Sequence, residues 1–279
     1  MKKIAVIIYA IVISAVISGC TVEADADVEL TYPVLDEMTE EDDDDPYRFE
    51  VVSEQFELEE PVEEIREAQS IVSGGASWIY AKTQDGKRGH ETRYYKKMYN
   101  RNDELLSTTE IEDRREVTPT ENILYEGGQR AQPGAFYHSS RITRYGADCY
   151  GCNIGSDGRG GTSAGIGVGV DSVRQKDGTW KPGITYEGYY IIATSASIPL
   201  CTIVEISDHT VSGMGITPGV PFKAIVLDRG GAIQGSKIDL FVGTEHNMPV
   251  TQGRRQDAEV KIISMPQRYR SGGMWNCDI

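Results

Sequence analysis

Thirteen residues, 228–240, read D-R-G-G-A-I-Q-G-S-K-I-D-L and hold the densest chemistry in the chain. Asp228 closes the apolar run F-K-A-I-V-L, and Asp239 lies inside a second run, I-D-L-F-V, so each carboxylate sits on or at the end of a strand-like segment. Between them Gly230, Gly231 and Gly235 make a glycine-rich turn, where the backbone can take a positive φ or let a polymer approach the main chain closely. A carboxyl at the rim of a rigid strand, beside an open loop, is suited to giving or taking a proton on a polyhydroxylated chain such as a glycan. An Asp beside a Gly at a strand end also serves simply as a turn former.

The stretch resembles the D-T-G-G-A-I-K-G-x-x-I-D-L signature of the three-Asp (3D) domain, a double-psi β-barrel related to the membrane-bound lytic transglycosylases. The resemblance covers about 140–263. R-I-T-R-Y-G at 141–146, Cys149-x-x-Cys152 and T-S-A-G at 162–165 are similar to the A-T-A-Y, C-x-x-C and T-A-T-G of that family's opening. Ser163 and Ala164 replace its Ala-Thr, so one expected hydroxyl is missing. Ile198-Pro199-Leu200 and Thr202 match I-A-V-D-P-x-x-I-P-L-G-T, but Thr194 stands where the first of the three aspartates belongs. The run 250–263 resembles the closing strand.

The resemblance implies cleavage of the bond between N-acetylmuramic acid and N-acetylglucosamine in peptidoglycan glycan strands. The sugar's own 6-hydroxyl attacks, so one carboxyl serves first as acid and then as base. Asp239 matches the proton donor. Asp228 matches a supporting carboxylate that raises the pKa of its neighbour and binds sugar. Thr162 and Thr194 would be polar contacts on the substrate side, with Gly230 and Gly231 as open backbone. Arg229, in place of the usual Thr, would bind a muropeptide carboxylate or lower the neighbouring pKa, two effects that oppose each other. No cofactor and no metal is implied. Two other readings stay open: ordinary hydrolysis with Asp228 as base, and a wall-binding protein without catalysis, which Thr194 favours.

Several elements must position this stretch and carry it to its substrate. Residues 1–20 show two lysines, an apolar run and small residues ending at Cys20, the pattern of an export signal. Ile17-Ser18-Gly19-Cys20 resembles the bacterial lipobox, which implies cleavage before Cys20 and acylation of its sulfur, tethering the protein to the extracellular face of the cell membrane. The formal net charge of −15 is concentrated just beyond it: residues 21–70 hold 20 Asp and Glu against two basic residues, and residues 71–279 are left near +1. Residues 21–48 therefore read as a solvated acidic stalk, and no basic face for nucleic acid is present.

Residues 49–128 alternate with period two between turn signals at Asp85-Gly86 and around Asn100 to Asp103, with one helical candidate at 60–70. Gly86-Lys87-Arg88-Gly89, the strand at 93–99, Pro119 and Tyr125-Glu126-Gly127-Gly128 resemble the G-five (G5) domain, a wall-associated β module suspected of binding N-acetylglucosamine polymers. Residues 129–140 read as a linker, 141–264 as the 3D domain and 265–279 as a tail with no recognisable counterpart. The fold expected is mainly β: an elongated β-sheet module plus a six-stranded double-psi β-barrel.

Four cysteines remain after Cys20: Cys149, Cys152, Cys201 and Cys277. Export permits disulfides, while Cys149-x-x-Cys152 could also be half of a zinc site or a redox pair. Connectivity cannot be read from spacing, and one arrangement open to the tail is a staple from Cys277 to Cys201. His90, His138, His209 and His246 are too scattered to suggest a ligand set.

Overall fold

A computed structural model describes residues 46–152, 154–246, 248–251 and 257–279. The signal segment, Cys20 and almost all of the acidic stalk lie outside the described residues. Among the described residues the regular structure is entirely strand, so the chain is mainly β.

The first module contains β1 (Tyr47–Glu57), β2 (Glu63–Arg66), β3 (Ala81–Gln84), β4 (His90–Asn100), β5 (Leu105–Thr118) and β6 (Ile123–Glu126). β4 lies between β1 and β5 in one antiparallel sheet, and β6 lies between β2 and β3 in another. β5 is exposed along nearly its whole length, so little apolar area holds the first sheet together. Cross-strand pairs take over that task. Arg48 lies 4.3 Å over the Tyr99 ring and Lys96 4.1 Å over Phe49, while the nearly buried Glu91 accepts hydrogen bonds from Arg115 across on β5 and from Arg93 on its own strand. Residues 60–70 form no helix. Their Glu63-Glu64-Ile65-Arg66 segment is β2, parallel to β6, where strand pairing satisfies a backbone whose side chains offer no continuous apolar helical face.

The second part carries β7 (Phe136–Ser139), β8 (Ile142–Tyr145), β9 (Arg159–Gly161), β10 (Gly167–Gly169), β11 (Ser172–Arg174), β12 (Trp180–Pro182), β13 (Thr185–Tyr186), β14 (Tyr189–Ala193), β15 (Ile203–Ile206), β16 (Phe222–Asp228), β17 (Ile238–Phe241) and β18 (Ala258–Ser264). Its main sheet has eight strands, in the order β7-β18-β15-β16-β14-β17-β8 with β13 beside β14. One of them lies in the segment read as a linker: β7 pairs with β18, and Tyr137 and Ser139 point inward and are buried. Strands β9 to β12 form a separate antiparallel sheet, and β19 (Arg268–Ser271) with β20 (Met274–Cys277) makes a hairpin from the tail.

The apolar core lies in the main sheet. Ile191, Ile192, Val204, Ile225, Val226, Leu227, Leu240 and Phe241 are all fully buried. β16 is buried at five of its seven positions, as expected of a strand covered on both faces, whereas β18 alternates between buried and less buried positions. The central strands are therefore rigid supports for whatever side chains stand at their ends.

Candidate functional site

Strand register brings the two aspartates together. β14 runs parallel to β16 with Ala193 opposite Asp228, and antiparallel to β17 with Ala193 opposite Asp239. The next strand outward, β8, runs parallel to β17 and sets Thr143 opposite Asp239. A β-bulge makes this convergence possible: Ile192 pairs with Val226, but Ala193 pairs with Asp228, passing over Leu227. The Leu227 carbonyl is not left orphaned, because it accepts the Ala164 N–H at 2.8 Å.

Asp228 is saturated with donors. Its Oδ1 accepts the Ser163 N–H at 2.9 Å, the Ser163 hydroxyl at 2.9 Å and the Arg229 N–H at 2.8 Å. Its Oδ2 accepts the Tyr145 hydroxyl at 3.0 Å. Burial, then the charge of Asp228 and its hydrogen bond, then the charge of Asp239, push the Tyr145 phenol well above its ordinary range, so it stays a neutral donor. The ring is held edge-on to buried Phe241, with centroids 5.4 Å apart.

Asp239 is treated differently. Burial raises its carboxyl above the ordinary range, and the charges of Glu245 and Asp228 add to that effect. Among the described residues the opposing influence is the Thr143 hydroxyl, which donates to Oδ1 at 2.6 Å. Two carboxylates across from one alanine thus have opposite surroundings. One is fixed by four donors, and the other is biased toward its protonated form.

The glycine-rich turn is pinned from below by Ile233, which is nearly buried and whose N–H donates to the Gly230 carbonyl at 2.9 Å. A Cβ on Gly230 would come within 2.8 Å of the Ile233 side chain, whereas one on Gly231 would meet nothing within 4 Å. Gly231 is therefore the exposed, open point of the turn, and Gly235 supplies the left-handed φ of +62° that lets the chain re-enter β17.

The threonines and the arginine face inward. Thr162 is 7% exposed, and its hydroxyl donates to the Ile166 carbonyl at 3.2 Å, closing the turn 162–166. Thr194 is 1% exposed, and its hydroxyl accepts from Arg229 Nη1 at 3.1 Å. The same guanidinium also donates to the carbonyls of Asp228 and Ile198. These three side chains shape the loops around the carboxylates rather than presenting free polar groups to a ligand. Burial lowers the Arg229 pKa and the charge of Asp228 opposes that.

Sequence reasoning did not single out Thr143, Tyr145 or Ser163 as site residues. Ser163 did lie in the T-S-A-G segment read from the sequence, and its Oγ reaches Asp228. Beyond the ends of β8 and β17, Asp148 accepts hydrogen bonds from the Thr244 hydroxyl, the Glu245 N–H and His246 Nδ1 at 2.7, 2.7 and 2.8 Å. Burial alone would raise Asp148, but these bonds outweigh it and bring the carboxyl down to about 2. Cys149 is disulfide-bonded to Cys152 and Cys201 to Cys277, with Cα–Cα separations of 5.1 and 5.6 Å.

Residues 191–264 match the model of the 3D domain, a cell-wall-associated family. Among solved structures the chain is similar to the G5 domain of HP0197, with 20% identity over 29% of this chain and 97% of that one, at a TM-score of 0.20. It is also similar to the G5 domain of an IgA1 protease, with 21% identity over 30% of this chain and 89% of that one, at a TM-score of 0.21. No curated protein matches. The match at 191–264 is to the 3D domain that the thirteen-residue motif resembles.

Proposed function

We propose that the chain cleaves peptidoglycan glycan strands as a lytic transglycosylase, with Asp239 as its acid and then its base. The observation that carries this reading is the asymmetry of the carboxylate pair: Asp239 is raised by burial and by two neighbouring negative charges, while Asp228 is held by four donors. Protonated Asp239 gives its proton to the glycosidic oxygen as the bond from muramic acid C1 to that oxygen breaks. The resulting carboxylate takes the proton of the 6-hydroxyl as its oxygen bonds to C1. The proton count closes on Asp239, no water is consumed, and the product is an anhydro sugar. The charge of Asp228, fixed opposite the same alanine, faces the positive charge that develops at C1. Gly231 leaves room for a glycan to approach the main chain.

In this proposal Cys20 carries the lipid that holds the protein at the extracellular face of the membrane. The acidic stalk extends it into the wall, and the G5-like module binds wall glycan. One observation favours a binding protein without catalysis: the position of the family's first aspartate is Thr194, and its hydroxyl is occupied by Arg229.

The deciding experiment incubates residues 21–279 with purified peptidoglycan and identifies the soluble products by mass spectrometry, beside Asp239→Asn. Anhydromuropeptides from the native sequence and at least about a hundredfold fewer from the variant are expected for loss of a general acid. Products with reducing ends would mean hydrolysis. Glycan retention without any product would mean a binding protein.

A further inference from the structure

The match to the 3D domain ends at residue 264, yet the hairpin that follows reaches the site. We propose that the tail 265–279 is a positioning device for Asp228, acting through the turn 162–166. That turn presents the Ser163 N–H and hydroxyl to Asp228 and docks on the β16 bulge through the bond from Ala164 N–H to the Leu227 carbonyl. Its outer side is covered by the hairpin. Gly165 has a φ of +80°, and a Cβ there would come within 2.5 Å of the Trp275 indole, so the ring lies directly against the turn. Arg268 stacks 4.0 Å over the same indole and donates to the Ser163 carbonyl at 3.3 Å. Arg174, almost wholly buried, clamps the two together by donating to the carbonyls of Gly165 at 3.3 Å and Trp275 at 2.9 Å.

The far end of the hairpin is tied to the same strand. Cys277 is disulfide-bonded to Cys201, whose N–H donates to the Val226 carbonyl at 2.7 Å, two residues before Asp228. The tail therefore spans from the backbone beside Val226 to the turn that holds the Asp228 carboxylate. A short segment that only filled surface would need neither attachment. Trp275 and Arg268 touch no reacting atom in this scheme, so they are positioning residues. Only the cleavage arm of the test rests on the reading of the site proposed above.

The test uses the full chain in detergent, with Trp275→Ala, Arg268→Ala and Trp275→Phe. Two quantities are measured: hydrogen exchange at the Ser163 amide by NMR, and kcat and KM for release of soluble muropeptides. Trp275→Ala is expected to speed Ser163 exchange by about tenfold, because the turn opens locally, while the strand amides of Val204 and Ile225 keep their protection. It should lower kcat by about ten- to a hundredfold with KM little changed, as for a misplaced catalytic constellation. Arg268→Ala should act in the same direction and less strongly, and Trp275→Phe should restore most of both. The proposal is overturned if Ser163 exchange is unchanged in Trp275→Ala. It is equally overturned if Val204 and Ile225 lose protection in step with Ser163, which would make the tail a general stabiliser, or if KM rises while kcat holds. Should the native chain release no product, the exchange data alone decide the proposal, and it is the cleavage reading that has failed.

Discussion

Replacing Thr143 by valine keeps the shape of the side chain and deletes one hydrogen bond, the 2.6 Å contact from its hydroxyl to Asp239 Oδ1. Among the described residues that contact alone favours the charged form of Asp239; burial, Glu245 and Asp228 all favour the neutral form. Without it ionisation becomes harder, so the acid should remain protonated to higher pH. Hydrogen bonds to charged groups contribute about 1.5–3 kcal/mol, and for a half-buried carboxylate the lower end applies. At about 1.4 kcal/mol per unit, the alkaline limb of the cleavage profile should move upward by about one pH unit. The assay is the pH dependence of soluble muropeptide release, run beside a titration of the carboxyl carbon by NMR, with Thr143→Ser expected to restore the native profile. An alkaline limb that stays in place, or moves toward acid, would refute the reasoning. In that case the Thr143 proton is engaged with the Ile238 carbonyl, 3.3 Å away, or Asp239 is not the group whose ionisation limits the rate.

Substitutions at three other positions test the surroundings. Tyr145→Phe removes the donor to Asp228 Oδ2 and leaves the ring beside Phe241; cleavage should fall about tenfold, with a loss of stability near 1 kcal/mol in denaturant titration. Arg229→Met strips donors from the carbonyls of Thr194, Ile198 and Asp228 and should cost about 1–3 kcal/mol, and Arg229→Lys should not rescue it, because a point charge cannot reach all three. Asp148→Asn should be destabilised by about 1–2 kcal/mol at neutral pH, after allowance for solvent screening. The Asp148 pKa is lowered by folding, so its contribution is complete above the ordinary carboxylate range. It is lost as pH falls toward about 2, where native and variant melting curves should converge.

Asp228 and Asp239 were legible in the sequence because a fixed motif of thirteen residues contains both, along with the glycines that separate them. Their partners were not. Tyr145 and Asp228 are 83 residues apart, Thr143 and Asp239 are 96 apart, and Ser163 and Asp228 are 65 apart. Only the parallel register of β8 with β17 and the placing of the turn 162–166 join them, and neither is encoded locally. Arg229 shows a different limit. Its charge suggested a ligand or an influence on a neighbouring acid, but its long side chain turns onto the carbonyls of Thr194 and Ile198. The strand β7 was hidden because four residues, F-Y-H-S, are too few for a period to be read, and within 60–70 only Glu63–Arg66 is regular, a strand paired in parallel with β6.

The bulge at Leu227 explains why the two acids can differ at all. Without it Ala193 would face Leu227, and Asp228 would lie one residue further along, opposite Thr194. Passing over Leu227 sets both carboxylates across from one small side chain. It also frees the Leu227 carbonyl to dock the turn that carries Ser163, so the irregularity that brings the charges together also delivers the donors that hold one of them. Burial raises the Asp239 carboxyl, the charges of Glu245 and Asp228 add to that, and the Thr143 hydroxyl opposes it. Asp228 accepts four hydrogen bonds and Asp239 one, the asymmetry on which the proposed role of Asp239 as proton carrier rests. The placing of the two carboxylates thus follows from backbone register, and a change that straightened the bulge would alter it without touching either aspartate.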